Sequence, residues 1–320
     1  MSIKQMVKPL VPESLLTYRR DLIFSKMIDE HKKMSQAEVE SWLKGEYRKN
    51  IGAELHLDKP RRYTEKIQWL KLNAMDEKKS LLADKHAVRR WVAETIGKQY
   101  LIPLVGVWDS PDDIDFDALP GAFVLKTTQA SGTNIVVPDK RKLNVRRAKK
   151  LLERWLALDY GWVGFDRHYM RITPRIIGEE FVSNADGSEA FDYKFHCFGG
   201  KPYYVRIDID RHSKTHCRAT FDMEWSLQDW CEGDYARPEV LPERPACFEE
   251  LKDIVSKLAD GLGHARVDFY VIDGRPLFGE MTMSSGGGFE RIRPDAWDYK
   301  LGELWDLSME PRVDFPYGKK

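Results

Sequence analysis

Apolar residues near the start of the chain recur at helical rather than strand spacing. Leu15, Leu16, Tyr18, Leu22, Ile23 and Met27 follow the period of a helix that buries one face. The run Ser35-Gln-Ala-Glu38 has the spacing of a capping box and predicts a second helix. Thr64 is placed to cap a third, carrying Ile67, Trp69, Leu70 and Leu72. A further helix is predicted over residues 82–96 (LADKHAVRRWVAETI), stopped by Gly97. No strand–glycine–helix opening occurs here, which excludes a dinucleotide-binding fold for this region.

Past Leu101 the pattern changes. Residues 101–120 are rich in Pro and Asp with short apolar runs, and predict strand and turn. AFVLK predicts a strand ending at Lys126, followed by the small polar loop TTQASGTN and a second strand, IVV. Asn144 opens a helix to about residue 158 that carries Arg146, Arg147, Lys149, Lys150 and Arg154. Such a basic run is ordinarily a solvated face; the alternative is a surface that meets an anionic acceptor. From Arg175 the chain is strand-rich, and RIIGEEFV, DYKFHCF and PYYVRIDID read as one meander with a Gly199-Gly200 hairpin. Residues 248–262 form a helix with Leu251, Ile254, Val255 and Leu258 on one face, and RVDFYVI–DGRP–LFGEMTM closes the core. The expected class is α+β: a helical region over 1–80, one lobe over 81–178 and a second over 179–320.

Strand period two sets Arg266, Asp268 and Tyr270 on one face of RVDFYVI, opposite Val267, Phe269 and Val271. Phe278, Glu280 and Thr282 share a face of the next strand. Buried charges need partners. A divalent cation on a polyphosphate is one; a structural Arg–carboxylate cluster is the alternative. If Asp268 and Glu280 share a cation they must be directly opposed. A two-residue Asp273-Gly274 turn would pair Ile272 with Arg275 and turn Glu280 to the other face. The shared site therefore predicts a three- or five-residue turn. Lys126, ending an apolar strand beside a loop of small residues, sets an ammonium next to backbone N–H groups, which suits a polyphosphate. It is not a Walker A loop, because a strand follows rather than a helix. Asp192 and Lys194 share a strand face, and Glu179 and Glu180 sit inside an apolar strand.

Composition narrows the partners. The 51 basic and 51 acidic residues balance, which argues against nucleic acid or an anionic membrane as the main partner. No apolar run reaches the roughly 18–20 residues of a membrane helix, so no membrane insertion is expected. The N-terminus lacks the apolar core of a secretory signal, and a cytoplasmic location is expected. Four cysteines without a Cys-x-x-Cys spacing are expected to be reduced. His196, Cys197, His212, His216, Cys217 and Cys231 match no closed zinc spacing.

The ordered series Lys85, Lys126 before a glycine-containing loop, Glu179-Glu180-Phe181-Val182, Arg266-x-Asp268 and Glu280 resembles the ATP-grasp superfamily. YTEKIQWLKL, LADKHAVRRWV, LIPLVGVWD, FVLKTTQASG, DYKFHCFGGKP and RVDFYVIDGRPLFGEMTMSSGGGFE, from about residue 60 to 305, resemble the TupA-like ATP-grasp family. That family is named for teichuronopeptide biosynthesis, and its members occur in capsular and exopolysaccharide gene clusters. The resemblance implies an ATP-grasp fold, two α+β lobes clasping ATP. Lys85 and Lys126 would hold its phosphates under a closing loop that includes Ser131 and Gly132. Glu179, Glu180, Phe181, Val182 and Asp192 would line the nucleotide. Arg266, with Lys126 and Lys194, would stabilise the transferred phosphoryl group. Asp268, Glu280 and Thr282 would bind Mg²⁺. Ser284, Ser285, Gly286, Arg291 and Arg293 would face the acceptor.

Two positions depart from the family pattern: Thr282 stands where many ATP-grasp enzymes carry Asn, and Gln129 where the lysine loop has His. The implied reaction is Mg·ATP-dependent carboxylate–amine ligation through an acylphosphate. It would join an amino compound to a uronic acid or amino acid in surface-polysaccharide biosynthesis, on a small-molecule or saccharide acceptor. A kinase-like phosphotransferase on the same fold and a nucleotide-binding protein without turnover are the alternatives.

Overall fold

Two antiparallel sheets with helices packed on them carry the chain; the computed structural model describes residues 13–187, 190–209 and 216–313. The helices are α1 (Glu13–His31), α2 (Gln36–Ile51), α3 (Tyr63–Asn73), α4 (Glu77–Ala83), α5 (Val88–Thr95), α6 (Val145–Leu156), α7 (Phe248–Ala259) and α8 (Ala296–Leu304). The small sheet has the order β1-β4-β2-β3, from β1 (Leu104–Trp108), β2 (Phe123–Thr127), β3 (Asn134–Val137) and β4 (Ile176–Glu180). The large sheet has the order β10-β9-β5-β6-β7, from β5 (Asp192–Phe198), β6 (Lys201–Ile209), β7 (Cys217–Asp222), β9 (His264–Ile272) and β10 (Arg275–Thr282). Two short strands, β8 (Cys231–Glu232) and β11 (Ile292–Arg293), pair separately.

Period two sorts each large-sheet strand. Phe195, Val205, Ile207, Val267 and Phe269 are fully buried and share one core with Leu251, Ile254, Val255 and Leu258 of α7. The opposite face holds Lys194, Arg206, Asp208, Arg266 and Asp268, also buried, and so must satisfy its charges internally. On the small sheet, Phe123, Leu125 and Ile176 pack against Ala148, Leu152 and Trp155 of α6. Truncating the fully buried Leu152 to Ala would cost about 2–5 kcal/mol. The Ser35 box forms: Glu38 Oε2 accepts the Ser35 N–H at 2.7 Å, and Ser35 Oγ accepts the Glu38 N–H at 3.4 Å.

Several sequence expectations need correction. The helix expected over 82–96 is broken: α4 ends at Ala83 and α5 starts at Val88, with Asp84 accepting the N–H groups of His86 and Ala87. Lys85 therefore sits in a turn, not on a helix. Thr64 lies inside α3, where Glu65 accepts the N–H groups of Arg61 and Arg62, and Thr64 instead donates its hydroxyl to Asp298. RIIGEEFV is not in a meander with DYKFHCF, because β4 pairs with β1 and β2 in the other sheet. In α1, Tyr18, Leu22 and Ile23 face outward rather than into the core.

The β9–β10 turn is also different. Ile272 pairs with Arg275 across a two-residue Asp273-Gly274 turn, with φ of 48° and 75°. A bulge between Phe278 and Glu280 then shifts the register by one, and Glu280 still lands opposite Asp268. Gly279 is the bulged residue; a Cβ there would sit 3.1 Å from the Asp268 carbonyl oxygen. The tight turn and the opposed carboxylates are compatible because the bulge absorbs the extra residue.

Candidate active site

A groove between the sheets is lined in three connected parts. The middle part gathers three cations. It is lined by Lys85 from the α4–α5 turn, Arg89 from α5 and Lys126 from β2, with Glu179, Asp268 and Glu280. Glu179 accepts from Arg89 Nη1 and Lys126 Nζ, both at 2.6 Å. Lys85 Nζ donates to the Ala130 carbonyl at 2.6 Å. Burial pushes the Lys85 ammonium's pKa down, against the opposing pull of Glu280.

The loop over residues 127–134 is held at its flanks. Thr127 and Thr133 join through their hydroxyls at 2.6 Å, Thr128 Oγ1 donates to the Thr173 carbonyl, and Gln129 Nε2 donates to the Trp155 carbonyl at 2.8 Å. Gln129 is thus buried away from the groove. Only the tip, Ser131 and Gly132, together with Asn134, is exposed.

Behind this part lies a cavity of about 480 Å³ lined by Val124, Val136, Glu180, Phe181, Val182, Asp192 and Tyr270. Apolar walls beside an exposed stretch of backbone suit a planar base. Glu180 is exposed at the end of β4, whereas Glu179 turns inward to the cations.

The opposed carboxylates share one guanidinium. Arg266 reaches Asp268 through two hydrogen bonds of 2.7 and 2.8 Å, and Glu280 at 3.2 Å. Lys194 donates to Asp268 at 2.9 Å and also pairs closely with Asp192. Burial opposes ionisation of Asp268, but Arg266 and Lys194 outweigh it and hold the carboxyl well below the usual range. Thr282 Oγ1 lies 3.5 Å from Glu280 Oε1, and Ser285 Oγ accepts from Arg266 at 2.9 Å.

The third part is a cavity that begins at Ser131, Arg266 and Glu280 and runs away from the base side. Its walls are Met27 of α1, Trp42 and Glu46 of α2, Tyr160, Tyr169 and Phe289. Lys71, fully buried, spends its donors on the carbonyls of Gly164 (3.0 Å) and Gly287 (2.6 Å) and lies 3.6 Å from Asp166 Oδ1. The same Asp166 oxygen accepts from Ser284 Oγ at 2.6 Å. Asp166 Oδ2 makes no hydrogen bond to the described residues and flanks Gly164 and Gly287 on the cavity wall.

Gly286 also lines this cavity, but three expected acceptor contacts do not: Ser285 is buried against Arg266, and both arginines turn elsewhere. Arg291 turns to the Asn50 carbonyl (2.6 Å), and Arg293 pairs with Asp234 at the surface (2.5 Å). Sequence reading missed Arg89, Lys71, Asp166, Trp42 and Glu46. Arg89, four residues after Lys85 in LADKHAVRRWV, and Lys71, in YTEKIQWLKL, lay in stretches that carried the resemblance. The four cysteines are free; no three His, Cys, Asp or Glu side chains gather as metal ligands among the described residues, and His212 lies outside them.

A family model described as TupA-like ATPgrasp matches residues 65–306. The chain belongs to the TupA-like ATP-grasp family. Its fold is the α+β ATP-grasp fold. Among solved structures, D-alanine–D-alanine ligase from Bacillus anthracis, complexed with ATP, is similar at 16% identity and a TM-score of 0.38, over 69% of this chain and 62% of that one. The Helicobacter pylori enzyme of the same name gives 13% and 0.42, over 76% and 69%. L-amino acid ligase from Bacillus licheniformis gives 17% and 0.45, over 75% and 52%. This chain thus spans less than two thirds of the Bacillus anthracis and Bacillus licheniformis proteins. No curated protein matches it.

The groove of this TupA-like ATP-grasp protein fits Mg·ATP by its donors. Mg²⁺ is held by one or two carboxylates and completes its shell with phosphate and water. Asp268 and Glu280, directly opposed with the Thr282 hydroxyl beside them, offer that set. Lys85, Arg89 and Lys126 offer the cations a triphosphate needs.

Proposed function

We propose that the protein is a Mg·ATP-dependent carboxylate–amine ligase. The observation that carries this reading is the continuity of the groove: a part lined by Lys85, Arg89 and Lys126 and an aromatic-walled part holding Asp166 meet at Ser131 and Glu280. ATP would lie with its base against Phe181 and Val182 and its phosphates among Lys85, Arg89 and Lys126. Its terminal phosphate then reaches the junction beside Arg266. A substrate carboxylate oxygen attacks that phosphorus, the bond to ADP breaks, and an acylphosphate forms. Arg266 and Lys126 bear the developing negative charge, and Asp268 and Glu280 would hold the Mg²⁺ that would supply further charge neutralisation.

The amine enters from the third cavity. Glu46 is taken by Lys49, and Asp166 meets Lys71 and Ser284 through Oδ1 alone, so its Oδ2 faces the cavity. Asp166 Oδ2 is the free acceptor for a substrate ammonium, with Trp42 and Phe289 as ring walls. The deprotonated amine attacks the acyl carbon, the carbon–oxygen bond to phosphate breaks, and inorganic phosphate leaves. The Ser284 and Gly286 turn faces the same space. We take the acceptor to be a saccharide or amino compound of surface-polysaccharide biosynthesis, handled in the cytoplasm.

ADP release with uronic acids and amino acids in the presence of hydroxylamine tests the reading. Hydroxamate and ADP together support an acylphosphate. AMP, or a stable phosphate ester without hydroxamate, contradicts it; the ester would identify a phosphotransferase.

A further inference from the structure

Charge balances over the whole chain, yet residues 140–154 carry eight Lys or Arg against one Glu. Helix α6 buries Ala148, Leu152 and Trp155 and turns its basic face outward. Lys149 is matched by Asp112 (2.8 Å) and Arg154 by Asp21 (3.0 Å). Arg146, Arg147 and Lys150 are exposed and make no ion pair among the described residues. They line a shallow groove with Tyr18 of α1, over whose ring Arg154 sits at 5.1 Å. Beyond Tyr18 (45% exposed), α1 presents Leu22 (51%) and Ile23 (59%). These side chains gave the helix its sequence period, and they point to solvent.

We propose that this α1–α6 face docks on an anionic phospholipid bilayer. Tyr18, Leu22 and Ile23 enter the headgroup boundary, and Arg146, Arg147 and Lys150 lie over the phosphates. The mixture of the two chemistries selects this occupant. A soluble polyanion would match the cations and leave Leu22 and Ile23 in water. A second copy docked by the same face would bring like charges together. A bilayer surface offers a negative layer and an apolar layer a few ångströms apart. The contact is peripheral, since no helix among the described residues is long and apolar enough to cross a membrane. It places the groove near the surface, because Arg20 of the same helix donates to the Gly132 carbonyl at the phosphate-loop tip (3.1 Å). The inference does not depend on the ligase reading.

The test is co-sedimentation of the full chain with phosphatidylcholine vesicles, with and without roughly 30 mol% phosphatidylglycerol. Binding is expected only with the anionic lipid and should weaken as salt is raised. The triple variant Arg146→Gln, Arg147→Gln, Lys150→Gln should bind at least about tenfold more weakly. Leu22→Ser with Ile23→Ser should bind severalfold more weakly, and both variants should keep the wild-type circular dichroism and Mg·ATP affinity. Failure of the wild type to bind the anionic vesicles, or wild-type binding by the triple variant, overturns the proposal. So does insensitivity to the Leu22 and Ile23 changes with displacement by polygalacturonate, which would assign the groove to a soluble polyanion. Self-association in sedimentation velocity that the Leu22 and Ile23 changes abolish overturns it as well.

Discussion

The two ends of the groove meet at Ser131 and Glu280 but present different charged groups to it. On one side Lys85, Arg89 and Lys126 converge, and Glu179 offsets part of their charge. On the other, Lys71 donates to two carbonyls and faces Asp166, Arg266 is held by Asp268 and Glu280, and Glu46 accepts from Lys49 at 3.0 Å, which leaves Asp166 Oδ2 open on the cavity wall. Residue types are similar at both ends; what differs is which charges the protein has already matched. Lys85, which makes no ion pair among the described residues, invites phosphate, and the open Asp166 Oδ2 invites an ammonium. The junction is where a phosphoryl group and a nucleophile from opposite ends would meet.

The largest expected effect breaks that junction. Glu280→Gln should lower kcat by about 10²–10³-fold. It should change stability by less than about 0.5 kcal/mol, because the Glu280 side chain is 43% exposed. Asp268→Asn should also abolish turnover but cost about 1.5–3 kcal/mol in urea unfolding, since the buried Arg266 and Lys194 lose the carboxylate they share and keep only Glu280 and Asp192. Equal stability of the two variants would mean that Asp268 is not the anchor of that cluster.

Next is the Lys126 end. Lys126→Ala should raise the Mg·ATP dissociation constant at least about tenfold, given roughly 1.5–3 kcal/mol for a charged hydrogen bond. The fold should survive because Glu179 keeps Arg89. Calorimetry showing unchanged affinity would remove Lys126 from the phosphate site. At the other end, Asp166→Asn should raise the amine KM about tenfold while hydroxamate formation and ATP affinity persist. Loss of all three would instead mark Asp166 as a structural partner of Lys71 and Ser284.

A further effect is on stability alone and spares both ends. Burial holds His168 down at about 4, and His196 and His264 at about 3. Each is depressed below its unfolded value near 6.5, so the unfolded chain binds more protons as pH falls. Their contribution is complete above about pH 6.5 and is lost as pH drops toward 4 and then 3. Urea midpoints across this range check it, and a midpoint that rises on acidification would contradict it.

The Lys126 end was more legible in sequence than the Asp166 end, for a physical reason. Lys126 closes an apolar strand, and Arg266, Asp268 and Glu280 follow period two, so a local pattern placed them. The same rule failed at the Asp273-Gly274 turn, because a bulge at Gly279 changes the register without changing composition. Lys85 was found on chemistry but given the wrong element, since Asp84 breaks the helix through its side chain. Met27, Trp42, Asp166 and Phe289 come from four distant segments, and no spacing brings them together. In α1 the period of Tyr18, Leu22 and Ile23 announced a helix but not which side of it met the core.

The two ends are joined by a claim about one oxygen atom. If a carboxylate attacks the terminal phosphate at the junction, oxygen-18 in the substrate carboxylate must end in inorganic phosphate, one atom per amide formed. Mass spectrometry of the phosphate from a single turnover reads this directly. One labelled oxygen in phosphate, with ADP, is the predicted result. Unlabelled phosphate, or label appearing in AMP, would contradict the account.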